Sequence, residues 1–210
     1  MTSNLNYGKL IVFEGGEACG KTTQIELLKN KYKNNNNFVF TKEPGGTKVA
    51  EEIRKIIITG DADKILPKTE LALIYAARNE HYYKKILPAL QEGKNVICDR
   101  FILSSFVYQG KARGLEPQYI QEFHNLFFAQ IKPDITLLLD IDVNIAKKRI
   151  AERNNKDERF EKFPSSFHQE IRQAYLDYAS NDMGIKIINA NLSPQEISQK
   201  IKQLLDGLLQ

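Results

Sequence analysis

Eight consecutive residues, Gly15-Gly16-Glu17-Ala18-Cys19-Gly20-Lys21-Thr22, satisfy the spacing G-x-x-x-x-G-K-[ST] in full. The chemistry of this pattern is anion binding. Glycines let the backbone curl until successive N–H groups point at phosphate oxygens, so Gly15, Gly16, Glu17, Ala18, Cys19 and Gly20 act mainly through their main chain. A helix opening at Lys21 adds its positive N-terminal end. The Lys21 ammonium can then reach the β- and γ-phosphates of a nucleotide. Thr22 supplies a hydroxyl for Mg²⁺, and Thr23 follows on the same helical turn. Nothing more than the N–H is needed from Cys19, whose thiol is read as incidental. His81, His124 and His168 have no metal-ligand spacing and carry no catalytic expectation.

Such a cradle must sit between a strand and a helix, and the surrounding pattern supplies both. Lys9 to Glu14 reads as a buried strand, and a helix is expected from about Lys21 to Lys33. Further strands are expected at Phe38–Lys42, Asn95–Asp99, Ile135–Asp140 and Ile185–Asn189. Helices are expected at Thr47–Ile58, Lys68–Tyr83, Pro117–Gln130, Val143–Arg153 and Ser166–Asn181. The last helix opens with Ser193, Pro194 and Glu196, the pattern of a capping box with proline at the first position. Strand–helix alternation predicts an α/β fold, a five-stranded parallel sheet flanked by helices. Ligands of such sheets gather at the carboxyl ends of the strands, which points to Glu14, Lys42 to Thr47, Asp99-Arg100 and Asp140 to Asp142.

The 210 residues fit one domain, 1–210, with a small mobile lid at about 149–163. A formal charge of +4 suits anionic small ligands but is too weak to argue for nucleic acid. The longest apolar runs are strand-length, so no membrane partner is expected. The polar start shows no secretory pattern. Two cysteines without ligand spacing fit a reduced, cytoplasmic setting. No Asn-Lys-x-Asp occurs to read guanine, since Asn155-Lys156-Asp157 lacks the spacing. A short phosphate-binding chain with arginines on its loops reads instead as a kinase of a small phosphorylated acceptor.

Four further segments become informative together: Glu43-Pro44-Gly45-Gly46-Thr47, Tyr75-Ala76-Ala77-Arg78, Asp99-Arg100-Phe101 with Ser104 to Gly110 behind it, and the arginine-bearing stretch Arg149 to Phe160. With Phe13-Glu14-Gly15 before the cradle, this set resembles the thymidylate kinase family, in the same order from about Lys9 to Tyr178. The resemblance implies transfer of the γ-phosphoryl of ATP to dTMP, with Mg²⁺, in the supply of dTTP for DNA synthesis. It implies that Asp99 holds the metal with Thr22 and that Arg100 grips the acceptor phosphate. Glu14 would accept from the acceptor sugar and sit near the metal, and Arg78 would reach the thymine O4. Ser105 and Gln109 would line the base pocket, Tyr108 would crowd the 2′ position, and Tyr175 would close over the nucleoside. A homodimer packed through helices, including Ile120 to Ile131, is implied as well.

Two positions depart from the family pattern. Ile74 stands where a stacking Phe is usual, and Lys42 where an arginine precedes the E-P-G-G-T turn. The family places its transition-state arginine either in the phosphate loop or in the lid. The loop here has none, so the lid cations Arg149, Arg153 and Arg159 take its place. Arg153 is expected at the transferring phosphoryl, and Arg149 nearer the adenine or phosphates. Two other readings stay open: another P-loop nucleoside or nucleoside monophosphate kinase, and a non-catalytic ATP-binding module.

Overall fold

The apolar alternation of the first strand determines how the layers assemble. A computed structural model describes residues 7–128, 131–152 and 159–209 of the chain. In β1 (Leu10–Glu14), Ile11 and Phe13 face one side. There they meet Ile25 and Leu28 of α1 (Lys21–Lys31) and Ile197, Ile201 and Leu205 of α9 (Pro194–Leu208). Leu10 and Val12 face the other side. They pack with Leu71 and Tyr75 of α3 (Pro67–His81), Leu90 of α4 (Leu87–Gln91) and Ile120 of α6 (Pro117–Phe127). A strand buried on both faces requires a sheet covered on both faces, and that is what forms.

The sheet holds five parallel strands in the order β2-β3-β1-β4-β5, with β2 at Phe38–Lys42, β3 at Asn95–Asp99, β4 at Ile135–Asp140 and β5 at Ile185–Asn189. Its register brings the strand ends together: Phe13 pairs with Asp99, Asp99 with Lys42, and Glu14 with Leu138. Helix α2 (Lys48–Ile58) starts at Thr47, whose side chain accepts from the Ala50 N–H at 3.3 Å. Helix α7 (Val143–Ala151) starts at Asp142 in the same manner. The expected capping box at Ser193 and Glu196 forms in full.

Two segments depart from the expected pattern. Helix α3 does not stop near Tyr83 but continues through a π-helical turn, Tyr82–Ile86, into α4. Pro88 lacks an N–H, and a widened turn is one way a helix continues past a missing donor. After β3, a short helix α5 (Ile102–Ser105) passes into a second π-helical segment, Phe106–Ala112. Serines and glycine are weak helix formers, so nothing local announces this helix. It is held from outside by α6 and by α8 (Ser165–Ser180), whose Ile171 and Tyr175 pack with Val107 and Tyr108.

Candidate active site

The phosphate cradle lies where the spacing places it, between β1 and α1. Gly15 has φ 140°, and a Cβ there would meet the Leu139 carbonyl oxygen at 2.6 Å. Gly20 caps α1 at φ 100° with no side chain on the first N–H groups, so those donors remain open to an anion. Lys21 is buried. Its ammonium donates to the carbonyls of Gly15 (3.1 Å) and Gly16 (3.2 Å), folded over the cradle that phosphates would fill. From α7, Arg149 donates to the Ala18 carbonyl at 3.2 Å and to the Ala190 carbonyl at 3.1 Å, which fastens it against the outer side of the loop.

A second cleft, about 550 Å³ and partly open to solvent, lies across Arg100 from this cradle. Ile74 and Arg78 of α3 form one wall and Ser105, Tyr108 and Gln109 another, with Phe101 and Phe160 adding aromatic surface. Arg78 is buried and tightly held. Its Nε donates to Glu43 at 2.6 Å, Nη1 to the Ser105 hydroxyl at 3.1 Å and Nη2 to the Phe101 carbonyl at 3.1 Å. A guanidinium carries five N–H groups, so one on each terminal nitrogen remains for a ligand. Burial opposes the ionisation of Glu43, but Arg78 and His81 outweigh it and hold the carboxyl below the ordinary glutamate value. Since that carboxylate can only accept, His81 Nδ1 donates to it at 3.2 Å, and His81 Nε2 meets the Thr41 hydroxyl at 2.6 Å. This chain of contacts fixes the Arg78 fork from behind.

Arg100 joins the two sites. Its backbone adopts φ 69°, a left-handed conformation that costs a non-glycine residue about 1–3 kcal/mol and that recurs at functional sites. The Phe13 carbonyl accepts its N–H at 2.8 Å. Its guanidinium donates to Glu17 (2.8 Å), the Tyr108 hydroxyl (3.1 Å), the Gly15 carbonyl (3.0 Å) and the Tyr175 hydroxyl (3.2 Å). Burial works against an ionised Glu17, yet Arg100 and Lys21 more than offset it and hold its carboxyl below the usual range. Burial, reinforced by Glu17, pushes the Tyr108 phenol well above its ordinary value despite Arg100 beside it. The result is an anion next to a fork suited to a dianion, at the boundary of two clefts.

The third part is the region around Asp99. Its Oδ1 is buried without a hydrogen-bond partner among the described residues, and Asp99 lines one cleft with Thr22. An orphaned carboxylate oxygen and a hydroxyl fit a hard cation that takes its remaining ligands from phosphates and water. Among the described residues no group of three or more His, Cys, Asp or Glu is placed to hold a metal ion.

The comparisons bear directly on this geometry. The family model described as thymidylate kinase matches residues 13–201. A thymidylate kinase of Marinomonas sp. is 40% identical over 203 residues, covering 96% of this chain and 95% of its own. One of Magnetococcus marinus is 39% identical over 202 residues, covering 95% and 96%. The crystal structure of thymidylate kinase from Ehrlichia chaffeensis superposes with a TM-score of 0.75 at 29% identity, covering 95% of this chain and 99% of that one. The chain belongs to the thymidylate kinase family.

Within this thymidylate kinase fold, the expected residues separate into those that converge and those that do not. Gly15, Gly16, Glu17, Lys21, Thr22 and Arg149 surround the cradle, and Ile74, Arg78, Arg100, Ser105, Tyr108 and Gln109 surround the second cleft. Glu14 needs correction. It is fully buried and accepts from the N–H groups of Phe101 and Ser104, the Ser104 hydroxyl and the Tyr175 hydroxyl, so it braces the turn after β3 and does not line the second cleft. Tyr175 also needs correction, because its hydroxyl lies on Glu14, Ser104 and Arg100 and supports that arginine from below the cleft. Lys42 is exposed and lines the cleft of Thr22 and Asp99 instead of the second cleft, 3.8 Å from Glu51.

The arginines expected on a lid also separate. Arg153 lies outside the described residues. Arg159 is fully buried, its Nη1 2.5 Å from Glu70 and its Nε on the carbonyls of Asp61 and Ala62, so it is no mobile phosphate ligand. Four residues were missed by sequence reasoning: Glu17 as the partner of Arg100, Glu43 and His81 behind Arg78, and Phe160 in the cleft wall. Glu17, Glu43 and Phe160 each stood in a segment singled out from the sequence, whereas His81 had no signal of its own.

Proposed function

We infer that this chain transfers the γ-phosphoryl of ATP to dTMP, giving dTDP and ADP, a step in the supply of dTTP for DNA synthesis. One observation carries the reading. Glu17 belongs to the donor cradle by sequence and to the acceptor cleft by position, and it is joined to Arg100 at 2.8 Å. Donor and acceptor phosphates therefore meet at that pair. An acceptor phosphate would replace Glu17 in the Arg100 fork, leaving the Glu17 carboxylate and the Tyr108 hydroxyl toward the sugar. Arg78 would donate to the base O4, with Ser105 and Gln109 completing the pocket and Ile74 packing on the ring.

Phosphoryl transfer requires mainly alignment and charge neutralisation. An acceptor phosphate oxygen attacks the γ-phosphorus while the bond to the β-phosphate oxygen breaks and ADP leaves. The attacking group is already ionised, so no general base is needed. Lys21 and the loop N–H groups, from Gly15 to Thr23, hold the donor, and Arg100 aligns the acceptor. Thr22 and Asp99 would hold Mg²⁺, which neutralises charge on the β- and γ-phosphates. Arg153 is proposed as the cation on the transferring group, because the phosphate loop contains no arginine.

We also propose a single catalytic domain with a lid, in a cytoplasmic enzyme; no helix among the described residues is long and apolar enough to cross a membrane. A homodimer through α6 is proposed on the exposed Leu126 and Tyr119, whereas Ile120 is buried in the core. Sedimentation as a 24.1 kDa species would overturn the dimer. The test of function is ADP formation from ATP and Mg²⁺ against each nucleoside monophosphate. Turnover strongest with dTMP is expected. Preference for another acceptor would overturn the base-pocket roles, and binding without turnover would overturn the kinase reading.

A further inference from the structure

We propose that the buried Arg159–Glu70 ion pair is a positioning pair. It sets the orientation of the Gln109 amide, and through it the preference of the cleft for a base with N–H at ring position 3 over a base with a lone pair there. The inference rests on the reading that this cleft takes the base of the acceptor.

Glu70 and Arg159 are both fully buried, 89 residues apart in sequence, with Arg159 Nη1 on Glu70 Oε2. Arg159 is also anchored by the carbonyls of Ile57, Asp61 and Ala62, so the guanidinium cannot follow a ligand. The other Glu70 oxygen, Oε1, receives Gln109 Nε2 at 2.8 Å. A carboxylate paired with a guanidinium has lone pairs and no proton to offer. The atom of Gln109 that faces it must therefore be the NH₂ end, whichever way the amide might otherwise turn. Gln109 lines the cleft and is itself almost wholly buried, so its carbonyl oxygen Oε1 is the atom left for a ligand.

An acceptor in that position favours an imide N–H, as in thymine, and disfavours cytosine, whose N3 would set lone pair against lone pair. Arg78 supplies the complementary donor beside it, from nitrogens partly engaged by Ser105 and Phe101. A site built from a fixed donor and a fixed acceptor rejects the wrong base more strongly than shape alone would, because the mismatch leaves buried polar groups unpaired. Neither Glu70 nor Arg159 lines the cleft. Both act through Gln109.

The probes are dTMP and 5-methyl-dCMP, which share sugar, phosphate and ring methyl and differ only at positions 3 and 4. The preference is the ratio of their kcat/KM values, measured for wild type, Glu70→Gln, Gln109→Leu and the double variant. In Glu70→Gln the new amide oxygen must stay on the anchored Arg159 guanidinium, so its NH₂ faces Gln109 and turns the Gln109 oxygen inward, away from the ligand. The ratio is expected to fall by about tenfold or more, the size of one mis-set buried hydrogen bond, through KM for dTMP and with kcat for dTMP nearly unchanged. Gln109→Leu leaves the ion pair intact and should lose the preference to a similar extent. In that background Glu70→Gln should change the ratio no further, whereas a merely structural role would lower activity on both probes alike.

A folded Glu70→Gln protein with the wild-type ratio would overturn the proposal, as would a further loss in the double variant. Should Glu70→Gln fail to fold, an unchanged ratio in Gln109→Leu overturns it alone. A wild-type protein that uses both probes equally would remove the base-cleft reading and this inference with it.

Discussion

Ile74 shows how one side chain sets affinity without setting mechanism. It lies in the wall of the second cleft on the same face of α3 as Arg78, four residues away, and under the proposed function it would pack on a bound base. An aliphatic side chain gains dispersion there but lacks the aromatic stacking contribution of about 0.5–1.5 kcal/mol. Tyr108 and Phe160 meet edge-on at 5.4 Å in the same cleft and supply aromatic surface from other directions. Ile74→Phe is expected to lower KM for dTMP by roughly two- to tenfold, the ratio equivalent to that energy, with kcat little changed. Steady-state kinetics check this. An unchanged or raised KM would mean that Tyr108 and Phe160 already provide the stacking.

At the scale of elements, cations that look alike in sequence take different places. Arg149, on the last turn of α7, is tied to the loop carbonyl of Ala18, and Arg159 opens the 3₁₀ turn Arg159–Lys162 and is tied inward to Glu70. Neither can swing onto a transferring phosphoryl without leaving its partners. Arg153, which lies outside the described residues, is the cation we propose for the role, and Arg153→Ala is expected to cost about 10³-fold in kcat with modest change in the KM values. Rapid-quench or coupled assays measure it, and a loss below about tenfold would reject the assignment. The π-helical segment Phe106–Ala112 is the other decisive element. Its widened winding presents Tyr108 and Gln109, adjacent in sequence, to one cleft, and π-turns recur at functional sites for such reasons.

For the molecule as a whole, stability depends on a histidine remote from the phosphate cradle. His124 of α6 is buried beside Phe128, with ring centroids 5.7 Å apart, and its Nδ1 has no partner among the described residues. Burial first and the charge of Arg78 second push its pKa from 6.5 down to about 4. Between those values the unfolded chain holds a proton that the folded chain does not. Its contribution is therefore complete above pH 6.5 and lost as pH falls toward about 4. Thermal melts should show wild-type Tm falling more steeply than that of His124→Phe across this interval, since the variant has nothing to titrate there. Parallel curves would exclude the effect.

Most of the fold was legible because its signals are local. Strands β2, β3, β4 and β5 begin and end where their apolar runs do, and the Ser193 capping box forms as its spacing requires. The phosphate cradle was legible for the same reason, since glycine at the positive φ of Gly15 and Gly20 is a property of single residues. The long-range assignments were not. Glu14 and Glu17 are both acids beside one loop, and only tertiary packing turns the first inward onto Phe101 and Ser104 and leaves the second on Arg100. Arg159 reads as a surface cation until Glu70, far away in the chain, draws it inside. Side-chain type and spacing by themselves determined that this chain binds nucleotide phosphates on a parallel sheet. Which charges pair, and which remain for a ligand, depended on desolvation and on contacts between distant segments, and those exist only once the chain has folded.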